Sequence, residues 1–133
     1  MTNIPVTSIT QTPLTTGGLS TVSNILANNT TSVAIKASPG QLFHFEGWNI
    51  SAATPVWIKL YDATQAGTTA GSGTPKWRIM IPSAGVTGAG VVSMDMNGIP
   101  FGTAITYVAV TGIADNDTTA PAAATYAVNF GYK

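Results

Sequence analysis

Residues Gln41 to Asp62 read QLFHFEGWNI (41–50), SAAT (51–54) and PVWIKLYD (55–62), and the way these two hydrophobic runs are read decides the fold. In the second run Val56, Ile58 and Leu60 alternate with Trp57, Lys59 and Tyr61. That is the period of two of a strand with one buried face, so the first three residues are predicted core and the others outward. The first run is less regular: on an unbroken strand Phe43 and Phe45 share one face, and Leu42, His44, Glu46 and Trp48 the other. A one-residue bulge at Gly47 repairs this by bringing Trp48 and Ile50 to the side of Phe43 and Phe45. Pro55 opens the second run, where a strand tolerates a missing donor. The stretch is therefore expected to be the central β-hairpin of an all-β domain.

Toward the N-terminus, Ser32 to Ala37 alternates Val33 and Ile35 against Ala34 and Lys36, and Ser38-Pro39-Gly40 closes that short strand with turn residues. Residues 1–31 are rich in Thr, Asn and Ser, carry no charge, and are interrupted by Pro5, Pro13 and Gly17-Gly18. They read as an extended arm with widely spaced hydrophobes, Ile4, Val6, Ile9 and Leu14, although LSTVSNIL (19–26) also suits a short strand or one to two helical turns. The expected division is thus an arm over 1–31 and a β-domain over 32–133.

Toward the C-terminus, ATQAGTTAGSG (63–73) has three glycines and no large apolar side chain, which makes it a surface loop. Trp77, Ile79 and Ile81 then alternate with Lys76, Arg78 and Met80 up to Pro82, with Trp77 expected as a core anchor. Val91 to Met96 forms a further alternating run, followed by Asn97-Gly98, a dipeptide suited to positive φ and hence to a turn. Ala104 to Thr111 is apolar on both faces, as a central strand requires. Ala122 to Tyr132 places Tyr126, Val128, Phe130 and Tyr132 on one face. The predicted core is Phe43, Phe45, Val56, Ile58, Leu60, Trp77, Val108, Val128 and Phe130. About eight strands with turn signals between them, and no long helix, indicate an antiparallel β-sandwich with jelly-roll topology.

The charge count narrows function. Five basic and five acidic side chains cancel, and charged residues make up 8% of the 133, against about 25% in an ordinary soluble protein. Such a surface has little field to steer a polyanion, so nucleic acid is not an expected partner. Low charge also removes a barrier to self-association, which points to a surface covered by other protein chains. There is no cysteine, and no apolar run reaches the ~18 to 20 residues that span a bilayer. No secretory signal is read at the start, so synthesis and folding in a soluble compartment and no membrane partner are expected.

Chemistry finds little purchase. His44 and Glu46 share a strand face as an acid–base pair would, but no G-x-S-x-G elbow or second opposed carboxylate accompanies them, so no enzyme is expected. Asp115-Asn116-Asp117-Thr118 gathers oxygens as Ca²⁺ prefers, without the glycine and terminal glutamate of the twelve-residue loop. Asx-turns account for it, and no cofactor or metal is expected. Lys76-Trp77-Arg78 interleaves charge and ring as a single-strand binder does, yet strand alternation explains it by turning Trp77 inward.

Taken in order, Gly40-Gln41-Leu42, Asn49 before a small polar loop, Lys59-Leu60-Tyr61-Asp62, Thr74-Pro75, Pro82, Gly98-Ile99 with Phe101, Thr111-Gly112, Asp115 to Thr118 and the ending Gly131-Tyr132-Lys133 resemble the capsid decoration, or cement, proteins of tailed bacteriophages. The resemblance covers roughly residues 33–133. It implies a small jelly-roll-like protein on the outer capsid surface of a virion, made in the host cytoplasm. Its implied partners are the major capsid protein and further copies of itself in a dimer or trimer, with no catalytic residues. Within that expectation Ile4, Val6, Ile9 and Leu14 are the candidate capsid or oligomer contacts. The alternative is a receptor- or glycan-binding β-sandwich module of a tail fibre or lectin, for which Trp48 or Trp57, turned outward, would serve.

Overall fold

A computed structural model describes residues 20–26, 30–86 and 88–133. Eight strands make up the regular structure: β1 (Ser20–Leu26), β2 (Val33–Lys36), β3 (Gly40–Asn49), β4 (Val56–Tyr61), β5 (Trp77–Ile81), β6 (Gly90–Phe101), β7 (Ile105–Val110) and β8 (Tyr126–Tyr132). They form two four-stranded antiparallel sheets, ordered β1-β8-β3-β6 and β2-β7-β4-β5. The pairs β1·β8, β2·β7, β3·β6 and β4·β5 nest inside one another as in one long hairpin. Rolling that hairpin up, with β3·β8 and β4·β7 as the additional pairings, yields the jelly roll.

This topology corrects the expected central hairpin, because β3 and β4 lie in different sheets and do not pair. Residues 50–55 carry the chain between sheets instead. Asn49, fully buried, builds that crossover: its Nδ2 donates to the Thr54 carbonyl at 2.9 Å and its Oδ1 accepts from the Ser51 N–H at 2.9 Å. The innermost hairpin is β4·β5, and the glycine-rich loop is its tip, closed by Lys76 N–H to the Leu60 carbonyl at 2.7 Å.

The irregularity expected at Gly47 lies elsewhere. Pairing of β3 with β6 steps from Leu42↔Ile99 to His44↔Asp95, so the break falls at Phe43 on one strand and Met96, Asn97 and Gly98 on the other. Asn97 and Gly98 adopt positive φ (52° and 75°), as their chemistry allows, but they kink one long strand rather than end it. Leu42 before the break and Phe45, Gly47 and Asn49 after it face inward, whereas Phe43 is half-buried, Trp48 outward and Ile50 62% exposed. Gly47 serves close packing: a Cβ there would stand 2.6 Å from Ile81 Cδ1 of the opposite sheet.

The core lies between the sheets and contains Val56, Ile58, Leu60, Val128, Phe130 and Phe45, as expected, with Tyr107, Ile81 and Leu42 also fully buried. Trp77 is not in it. It opens edge strand β5 and is 45% exposed, so the right period of alternation placed it beyond the cover of the other sheet. Within the stretch read as an arm, Ser20–Leu26 takes the strand alternative and pairs with β8 along seven residues.

The hydroxyls of Tyr61 and Tyr126 are buried without a hydrogen-bond partner among the described residues. Burial of an unpaired hydroxyl costs about 1 to 3 kcal/mol. Tyr126→Phe is therefore expected to leave the protein as stable or about 1 kcal/mol more stable in urea titration; a loss of that size would mean that the hydroxyl has a partner.

Candidate binding surface

Three sets of side chains carry the surface chemistry of the domain. The first sits on the outer face of the β1-β8-β3-β6 sheet, where pairing sets His44 opposite Asp95. His44 Nδ1 lies 3.1 Å from Asp95 Oδ1, and Nε2 lies 3.5 Å from Glu46 Oε1. The hydrogen bond to Asp95 raises the imidazole pKa from its ordinary 6.5; desolvation opposes it and Glu46 adds to it. Both carboxylates stand at the surface, with side chains 38% and 84% exposed for Glu46 and Asp95, and pairing sets Ser93 opposite Glu46. The expected His44–Glu46 contact is therefore present, with Asp95 as a third member that only strand pairing reveals.

A raised folded-state pKa stabilises the fold fully below pH 6.5 and ceases to do so as pH rises through the folded value. His44→Gln is accordingly expected to cost more stability at pH 5.5 than at pH 8.5, by less than about 1 kcal/mol at so exposed a site. Equal losses at the two pH values in urea titration would show that the pair does not hold the proton.

The second set closes the outer face of the other sheet. Arg78 donates from Nε and Nη2 to the two carboxylate oxygens of Asp115 at 2.7 and 2.6 Å. Asp117 accepts from the Gly112 and Thr119 N–H groups, so it folds its own loop as an Asx residue does. Desolvation pushes the Asp117 carboxyl up, but the bonds from Thr119 and Gly112 and the charge of Lys59 outweigh it, and its pKa falls. This loop covers Lys59, read from alternation as outward yet fully buried, whose Nζ donates to the Ala114 carbonyl. Lys76, by contrast, is exposed: it reaches Asp62 at 3.4 Å and lies 5.0 Å over the Phe101 ring. Asp62 in turn accepts from the Gly102 and Thr103 N–H groups at 2.8 and 2.7 Å, which ties the β6–β7 turn to the end of β4.

The third set is apolar and exposed. Pairing aligns Trp48 with Val91 of β6 on one side and Ala127 of β8 on the other, on the same outer face as His44. Trp48 is 36% and Val91 55% exposed. Trp48, Ile50, Ala124 and Ala127 line a shallow groove of about 160 Å³. Thr125 lines this groove and also an adjoining cleft of about 350 Å³ at the end of the sandwich. Trp57, the other outward candidate, is half-buried on the loop-covered sheet. Ile4, Val6, Ile9 and Leu14 lie outside the described residues.

Among the described residues no helix is long and apolar enough to cross a membrane, and no group of three or more His, Cys, Asp or Glu stands together as a metal site. Compared with known proteins, the chain matches no family model, no curated protein and no solved structure.

Proposed function

We propose that this chain is a structural virion protein that binds the outer surface of a bacteriophage capsid and stabilises it, acting as a homo-oligomer and catalysing no reaction. The observation that carries the reading is the apolar pair Trp48 and Val91, exposed on one sheet face with Ile50 just past the end of β3, in a domain with almost no charge. Apolar surface of this kind favours contact with another protein, and the jelly roll offers a rigid sheet on which to present it. The resemblance in the order of short motifs from Gly40 to Lys133 supports the same reading.

The segment from Thr2 to Gly18, uncharged and with widely spaced hydrophobes, is assigned part of the grip on neighbouring subunits. Many copies on a closed shell make weak single contacts effective. Full-length protein is expected to rebind stripped capsids and raise their resistance to heat, while a version lacking residues 2–18 folds and rebinds poorly. Equal rebinding by the shortened version would remove the arm from the mechanism. Failure of both to bind would end the capsid assignment. The second reading, a receptor- or glycan-binding module, is favoured by the outward Trp48.

A further inference from the structure

We infer that the junction of the Trp48 groove and the neighbouring cleft is a binding site for a neutral carbohydrate; this deepens the glycan-binding reading and does not depend on attachment to a capsid. The two depressions meet at Thr125 and have contrasting walls. On one side stands an indole with bare ring surface, flanked by Ala124 and Ala127. On the other the wall is mixed: Ser51, Thr54, Thr111 and Thr125 bring hydroxyls to a space that Val56 and the stretch 120–122 line with apolar groups. No charged side chain lines either depression.

The chemistry of that pairing selects the ligand class. A sugar ring has an apolar face of C–H groups and an edge of hydroxyls, so it matches an exposed aromatic beside neutral hydrogen-bonding groups. Nucleotides, phosphorylated ligands and acidic peptides would find no cation in the lining.

The hydroxyls retain capacity. Ser51 Oγ accepts from Thr54 N–H at 3.2 Å, which leaves its proton to donate. Thr125 Oγ1 donates to the Ala122 carbonyl at 2.8 Å, which leaves its lone pairs to accept. The hydroxyls of Thr54 and Thr111 have no hydrogen-bond partner among the described residues. The wall is also held in place. Ile50 N–H donates to the Thr125 carbonyl at 2.8 Å and Thr111 N–H to the Thr119 carbonyl at 3.0 Å, so the β3–β4 and β7–β8 connections are fixed around one space. A volume of about 350 Å³ suits a small ligand, such as one or two sugar rings of a longer chain.

The test uses the full chain and a panel of neutral oligosaccharides (gluco-, galacto-, manno- and N-acetylhexosamine series), read by saturation-transfer NMR and isothermal titration. Trp48→Ala and Thr111→Val are compared with it, each checked for native circular dichroism; both positions are outside the core. At least one series is expected to bind saturably at about millimolar affinity, with each variant weakened about tenfold or more. If a sugar binds and neither variant weakens it, the site is misplaced while the glycan-binding reading stands. If no series binds at 20 mM (~20 times the expected dissociation constant), both fall. Preferential binding of acidic over neutral sugars would overturn the assignment of ligand class.

Discussion

Phe130→Ala is expected to remove about 3 to 5 kcal/mol of folding stability, the range for deleting a buried phenylalanine that its surroundings cannot collapse to replace. Phe130 of β8 lies 5.3 Å from the Phe45 ring of β3 and 5.1 Å from the Tyr107 ring of β7, centroid to centroid. The first contact is within one sheet and the second crosses to the other, so this trio holds the two layers together. All three side chains are essentially inaccessible to solvent. Against a total stability of about 5 to 15 kcal/mol, such a loss is a large fraction and corresponds to a melting temperature lower by roughly 10 to 20 °C. Urea titration followed by circular dichroism measures it, with Phe130→Leu as a milder control. A loss below about 1 kcal/mol would show that the layers are held elsewhere.

Replacement of Lys59 has the next largest expected effect, and it separates packing from charge. Lys59→Ala removes the buried stem, leaves a void under the loop of residues 111–121 and strips the Ala114 carbonyl of its donor. The cost is expected to be about 3 to 5 kcal/mol, as for removing one partner of a buried charged contact. Lys59→Met keeps the stem and loses only the ammonium, so its cost is expected nearer 1 to 2 kcal/mol. If the two variants are equally damaging, the ammonium rather than the stem holds the loop down.

The pH dependence of the same pair is a separate check. Desolvation lowers the Lys59 pKa below its ordinary 10.5, although Asp117 and Asp115 resist the shift. Between the folded value and 10.5 the unfolded chain binds more protons, so this residue makes stability rise with pH there. Tyr61 and Tyr126, whose hydroxyl pKa values burial raises, act in the opposite sense above pH 10. Their contribution is common to both proteins. The stability difference between wild type and Lys59→Met should therefore widen as pH rises from 8 toward 10.5, and a difference that stays flat would mean Lys59 is solvated.

Much of this architecture is legible in side-chain period. Val56, Ile58 and Leu60, and Tyr126, Val128 and Phe130, alternate with period two because a strand has only two faces, and each set is buried. The two-sided apolar run at Ile105–Val110 marks a central strand, and β7 does lie between β2 and β4. The eight-strand sandwich follows from counting such runs.

Partner choice is different, since alternation says which face a residue takes and not which strand lies beside it. QLFHFEGWNI and PVWIKLYD are adjacent in sequence, yet Asn49 folds the linker so that they enter different sheets. His44 meets Asp95 across 51 residues because β3 pairs with β6, a long-range choice that no local pattern encodes. Trp77 keeps the apolar phase of its strand and is still exposed, since burial depends on whether the opposite sheet extends far enough to cover it. Lys59 keeps the outward phase and is still buried, because a loop more than fifty residues later folds over it. By itself the sequence determines strands, faces and the neutral surface, all set by nearest-neighbour chemistry. Tertiary structure decides which faces meet, which loops cover them, and therefore that Trp48 remains bare beside a cleft lined with hydroxyls.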